Sequence, residues 1–209
     1  MKNLSRSIKK LFFSTKCSVC GKTAEDGYIC RECFKLLQKK IRLRNIDDYY
    51  FLYYYDEEIK KIISDYKLKN RRGLSKELSY LVRKSFKRLI EEKAVDIVIP
   101  MPISKKRMRE RGFNQVEELL DVMKIEYQQA DRIKDTRHMY SILDEQSREK
   151  NIKGVFINKN IDVDGKNLLI VDDIVTTGSS TRELIKEIRK KGEPKSIYIF
   201  SIALSKYFK

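Results

Sequence analysis

Residues 168–183, Leu-Leu-Ile-Val-Asp-Asp-Ile-Val-Thr-Thr-Gly-Ser-Ser-Thr-Arg-Glu, constrain the fold of this chain more than any other stretch. An apolar run ends in two adjacent carboxylates, Asp172 and Asp173. It then passes through a loop of hydroxyls and glycine and opens a helix. That layout suits a sugar phosphate. The two carboxylates can accept hydrogen bonds from neighbouring ribose hydroxyls. The loop amides of Thr176, Thr177, Gly178, Ser179 and Ser180 can wrap a phosphate at the positive end of the helix. Ser180-Thr181-Arg182-Glu183 also reads as a plain capping box. Capping accounts for Ser180 and Glu183 but not for two acids followed by Thr-Thr-Gly.

The remainder of the chain supplies strands and helices in alternation. Tyr49 to Tyr55 is rich in strand-formers, and Asp96-Ile97-Val98-Ile99-Pro100 reads as a short buried strand. Residues 155–157 and 197–204 also read as strands. Apolar residues at helical spacing mark helices over Ile59–Tyr66, Leu74–Ile90, Phe113–Met123 and Leu184–Ile188, the last ended by Gly192. Between the first two lies Tyr66-Lys67-Leu68-Lys69-Asn70-Arg71-Arg72-Gly73, read as a flexible basic loop. Such alternation predicts a mainly parallel sheet with helices on both faces. Ligands of such sheets bind at the carboxyl ends of strands, where Asp172 and Asp173 belong.

All four cysteines lie near the start of the chain. Cys17, Cys20, Cys30 and Cys33 form two Cys-x-x-Cys pairs separated by nine residues. That spacing predicts a tetrahedral zinc site with four thiolate ligands, structural rather than catalytic because protein fills every position. Arg31 to Leu43 fits a short helix leaving the second knuckle. Residues 1–45 therefore read as a basic lead-in and zinc-ribbon module, and 46–209 as the main domain. The formal charge of +16 leaves three partners open: a polyanion such as DNA, a phosphate-rich ligand, or water around a Lys-rich surface. No apolar run reaches the roughly 18 residues of a membrane span. The basic N-terminus has no sustained apolar core. The expected location is cytoplasmic, without membrane insertion.

A second strand-end segment complements the first. Pro100-Met101-Pro102-Ile103-Ser104 leads into a stretch with five cations: Lys105, Lys106, Arg107, Arg109 and Arg111. The stretch reads as a loop. A ligand with a phosphate at one end and a pyrophosphate at the other needs such charge away from the Thr176–Ser180 loop, and Arg can grip phosphate oxygens in bidentate fashion.

The Asp172–Ser180 stretch resembles the phosphoribosyl-pyrophosphate (PRPP) motif of type I phosphoribosyltransferases. With Pro100-Met101-Pro102, Arg111-Gly112-Phe113-Asn114-Gln115 and the Cys-x-x-Cys pairs ahead of them, the chain resembles the ComF family from Cys17 to its last strand. Arg148, Asn151 and Gly154-Val155-Phe156 also match the family. Tyr140 stands where the family often carries Gln.

The resemblance implies a type I phosphoribosyltransferase-like domain behind a zinc ribbon. It also implies a role in DNA uptake during natural transformation, alongside competence and recombination proteins and possible contact with single-stranded DNA. PRPP would be bound with Mg²⁺ by Asp172, Asp173, Thr176, Thr177, Gly178, Ser179, Ser180, Pro102, Lys105 and Arg107. Asp172, Asp173, Lys105, Arg109 and Arg111 would carry the chemistry. Purine-salvage enzymes of this fold usually have Asp where this chain has Thr176, which counts against that assignment. Three readings stay open: transfer to an unidentified acceptor, a non-catalytic PRPP- or nucleotide-sensing module, and a DNA-handling adaptor.

Overall fold

In the computed structural model, residues 15–68, 71–132, 156–157 and 161–208 are described. The expectations for Tyr140, Arg148, Asn151, Gly154 and Val155 lie outside them.

The cysteine module opens with a two-stranded antiparallel pair, β1 (Thr15–Lys16) and β2 (Thr23–Ala24), followed by helix α1 (Arg31–Lys40). The central sheet follows from the strand-formers. Its five strands lie in the order β3 (Arg44–Ile46), β4 (Tyr49–Tyr54), β9 (Ser196–Leu204), β8 (Asn167–Val175), β5 (Ile97–Pro100). Every pairing is parallel except β3 with β4, a hairpin edge that the polar Arg44–Ile46 stretch did not announce. A small separate pair joins β6 (Asp131–Arg132) to β7 (Phe156–Ile157).

Helices cover both faces. On one face lie α2 (Glu57–Leu68), α3 (Leu74–Glu92) and α5 (Gln115–Met123), packed on Leu52, Val98, Leu169, Val171 and Phe200. On the other lies α6 (Ser179–Arg189), whose Leu184 and Ile188 meet Ile99, Leu168, Ile170 and Ile199. Successive strand residues point to opposite faces, so a strand buried on both sides must be apolar at every position. Leu168 to Val171 satisfies that requirement, and all four are buried.

The cysteine module shares the first of these cores. Cys17, Cys30 and Cys33 belong to the same buried cluster as α2 and α3. Glu77 of α3 accepts hydrogen bonds from the backbone of Tyr28 (3.1 Å) and Ile29 (2.8 Å), beside the second knuckle.

Three local readings need correction. The cationic stretch is helix α4 (Lys105–Arg111), not a loop, because Ser104 caps it by accepting from the Arg107 amide (3.3 Å). Tyr66 and Lys67 are still helical, because buried Tyr66 continues the apolar face of α2. The capping box does not form. Gly178 occupies the N-cap of α6, which places Ser180 inside the first turn.

Candidate phosphate-binding site

β8 runs past the end of β5. Their pairing stops at Pro100 and Val171, while β8 stays paired to β9 as far as Val175. Asp172 and Asp173 are therefore inside a strand on one side and beyond a strand end on the other. A cavity of about 160 Å³ opens at that step. Its lining includes Asp172, Asp173, Thr176 and Ser180 from the β8–α6 corner, and Pro102, Arg107 and Arg111 from the segment after β5.

Helical spacing sorts the five cations. Arg107 and Arg111 are four apart on α4 and share the face toward the cavity. Lys105, Lys106 and Arg109 fall on other faces, are exposed and do not line it. Thr177, Gly178 and Ser179 do not line it; they form the turn that starts α6.

That turn is tightly held. Thr177 and Ser179 hydroxyls are 2.7 Å apart, and the Thr181 hydroxyl donates to the Gly178 carbonyl (2.7 Å). The Arg182 guanidinium donates to the Thr177 carbonyl (2.8 Å). Gly178 has φ +73°, and a Cβ there would meet Phe208, Arg182 and the Tyr49 hydroxyl at 3.0–3.1 Å. Only glycine fits both the left-handed backbone and the crowding.

Lys67, which the sequence set in a basic loop open to phosphate or to solvent, lies on α2 and lines the cavity. Its ammonium sits 2.6 Å from Asp173, whose side chain is 7% exposed. Asp173 follows Leu169 and Val171 on the face of β8 that α2 covers. The sequence signal was the continuing apolar period of α2, which carries Lys67 one residue past Tyr66. Asp172 is shaped by its surroundings too. Burial, and then the neighbouring Asp173 carboxylate, push its carboxyl up to about 8, against the opposing pull of Lys67.

Arg111-Gly112-Phe113-Asn114-Gln115 is the hinge between α4 and α5, and each residue has a job. Gly112, at φ +80°, ends α4 in the left-handed conformation. Phe113 packs on Tyr66, ring centroids 5.6 Å apart. Asn114 caps α5 by accepting from the Val116 amide (3.0 Å) and donates to the Met101 carbonyl (3.2 Å), tying the hinge to the strand end. Gln115 joins the cavity lining and accepts from Arg111 through Oε1 (2.9 Å).

The second candidate site is the cysteine cluster. All four Sγ atoms lie within 4.8 Å of one another, and Cys20 and Cys30 are 3.7 Å apart. A tetrahedron with Zn–S bonds of about 2.3 Å needs sulfur separations of roughly 3.8 Å, so the cluster can hold a metal such as zinc. Burial raises the Cys17 thiol, but the amides of Cys20, Cys30 and Val19 outweigh it and bring it down to about 7. Burial and the neighbouring thiols push Cys33 strongly up. A metal would reverse that penalty by taking the thiolates as ligands.

Comparison with known proteins bears on the family and the fold. Residues 110–204 match the phosphoribosyl transferase domain model. Competence protein ComFC of Bacillus subtilis is 25% identical over 96% of this chain and 82% of its own length. Competence protein F of Haemophilus influenzae is 27% identical, covering 84% of this chain and 79% of its own. The ComF-family resemblance is borne out. So is the expected fold, a mainly parallel phosphoribosyltransferase-like sheet with helices on both faces and four clustered cysteines ahead of it. DNA utilization protein YhgH of Escherichia coli K12 is 26% identical, covering 85% of this chain and 79% of its own. Among solved structures, a purine phosphoribosyltransferase from Pyrococcus horikoshii aligns with 63% of this chain and 77% of its own at 19% identity and TM-score 0.42.

Proposed function

We propose that the cavity binds PRPP with Mg²⁺ and that the protein transfers the phosphoribosyl group to an unidentified acceptor. One observation carries the reading: two arginines of α4, two aspartates of β8, and Thr176 and Ser180 of the turn into α6 line a single cavity. The 5′-phosphate belongs at that turn, the ribose hydroxyls at Asp172 and Asp173, and the pyrophosphate at Arg107 and Arg111. Lys105 and Arg109 remain in reach only as a positive field around the cavity mouth.

Asp172 and Asp173 offer the hard oxygen ligands that Mg²⁺ prefers. When bound, the ion would neutralise charge on the pyrophosphate. The chain's own residues orient the sugar and hold the leaving group. As the C1–O bond to pyrophosphate breaks, that pair of electrons leaves with the pyrophosphate. A nitrogen of the acceptor supplies the new bond to C1 and then loses its proton. Positive charge developing on the sugar is stabilised by the Asp173 carboxylate, and by Asp172 once it has given up its proton, and negative charge on the leaving group by Arg107 and Arg111.

Lys67 favours a second reading, PRPP or nucleotide sensing without turnover, because a cation already rests on Asp173. Pyrophosphate release with any base or amine acceptor separates the two. The relatives' names, competence proteins and a DNA utilization protein, support a role in competence; we place that role in DNA uptake, in the cytoplasm, with single-stranded DNA or competence proteins as partners. The four cysteines would hold a structural zinc. The direct test is calorimetric titration with PRPP and Mg²⁺. Saturable binding is expected, and Asp172→Ala and Asp173→Ala should each abolish it.

A further inference from the structure

Gln115 is 2% exposed, and its Nε2 is the buried side-chain nitrogen or oxygen without a hydrogen-bond partner among the described residues. A buried amide left unpaired is costly, and proteins seldom keep one without a use for it. Its other polar groups have partners. Its backbone carbonyl accepts from the Tyr66 hydroxyl (3.0 Å), its Oε1 accepts from Arg111 (2.9 Å), and Asn114 pins the preceding residue to the cap of α5. Gln115 thus lines the cavity with its acceptor satisfied and its donor spare.

We infer that Gln115 is a ligand-binding residue that donates from Nε2 to an oxyanion held by Arg107 and Arg111. This rests on the PRPP reading and adds a neutral donor at its pyrophosphate end. The chemistry of the surroundings selects the ligand group. With two guanidinium groups lining the same cavity, the atom completing the amide must be an anionic oxygen. Gln115 and Arg111 both line the cavity, so a ligand oxyanion that draws Arg111 off Oε1 frees the amide to turn its Nε2 toward the same oxyanion. Arg111 and Gln115 then act together, each releasing the other for the ligand. An amide suits the task better than a third cation, because it adds a directional donor without further repulsion between like charges.

Two variants test this. Gln115→Met keeps the volume and removes the donor. It should weaken Mg²⁺–PRPP and inorganic pyrophosphate by about tenfold or more, the usual loss for one hydrogen bond to a charged group. Ribose 5-phosphate, which lacks the pyrophosphate, should bind within about twofold of wild type, and Tm should stay level or rise once the unpaired amide is gone. Gln115→Glu keeps an oxygen for Arg111 but replaces the donor with a carboxylate. It should lose pyrophosphate binding while retaining ribose 5-phosphate. If either folded variant binds PRPP as wild type does, or loses ribose 5-phosphate in equal measure, Gln115 is only a structural link and the inference is wrong. If wild-type protein itself fails to bind PRPP, the PRPP reading and this inference fall together.

Discussion

Lys67 and Asp173 form an ion pair in which one member is nearly buried, and such pairs behave asymmetrically. The pair itself contributes little net stability, but removing one partner strands the other's charge in a low-dielectric site. Lys67→Met should therefore lower stability by about 2–3 kcal/mol, the low end of the usual range because Lys67 keeps 23% of its surface exposed. For a chain of this size that is on the order of 5–10 °C in Tm. Millimolar Mg²⁺ should recover more of that loss in the variant than it adds to wild type, since a cation can then reach Asp173. Thermal melts of both proteins with and without Mg²⁺ read this directly. An equal response would mean that Asp173 is not open to a cation. Lys67 also illustrates why part of the site was hidden in the sequence. The aspartates and the hydroxyl loop are adjacent in the chain, so their pattern is visible. Lys67 is 106 residues away from Asp173 and reaches it only because α2 packs across β8.

Among the elements, the β8–α6 corner and the α4–α5 hinge were legible to different degrees. The corner could be read because strand, loop and helix follow one another without a break. The hinge could be recognised as a motif, but its physical content depends on α4 being a helix. Read as a loop, all five cations are equivalent; read as a helix, only Arg107 and Arg111 share the cavity face. The error arose because a run with almost no apolar residues carries no periodicity to reveal it. Gly178 provides the element-level test. Alanine there must adopt a left-handed backbone, at a cost of about 1–2 kcal/mol, and push against Phe208, Arg182 and Tyr49. Gly178→Ala should weaken ribose 5-phosphate by about tenfold in calorimetric titration. Pyrophosphate, held at the other end, should lose far less. Equal losses would place the 5′-phosphate elsewhere.

Across the whole molecule, the sheet joins two functional ends through one shared core. The cysteine cluster packs with α2 and α3, and α2 supplies Lys67 to the cavity. Arg71 ties the connection between those helices to the first knuckle, donating to the Lys16 carbonyl (3.0 Å) and the Ser18 hydroxyl (3.3 Å). Removing a structural metal should therefore be felt throughout the fold. Chelation of reduced protein should lower the main melting transition by on the order of 10 °C, rather than produce a separate early event. An unchanged melt would show that the four cysteines need no metal. The two ends, cysteine knuckles and hydroxyl loop, are visible in the sequence because each is a local pattern. The core connecting them comes from long-range packing that no local pattern encodes.

In the proposed function, acids, arginines and hydroxyl loop form one site for a ribose carrying phosphate groups at both ends. Calorimetric titration of the wild-type protein with PRPP at millimolar Mg²⁺ tests it most directly. Saturable binding at one site per chain, lost in Asp172→Ala and Asp173→Ala, is the predicted result. No binding heat and no shift in melting temperature at millimolar PRPP would contradict it.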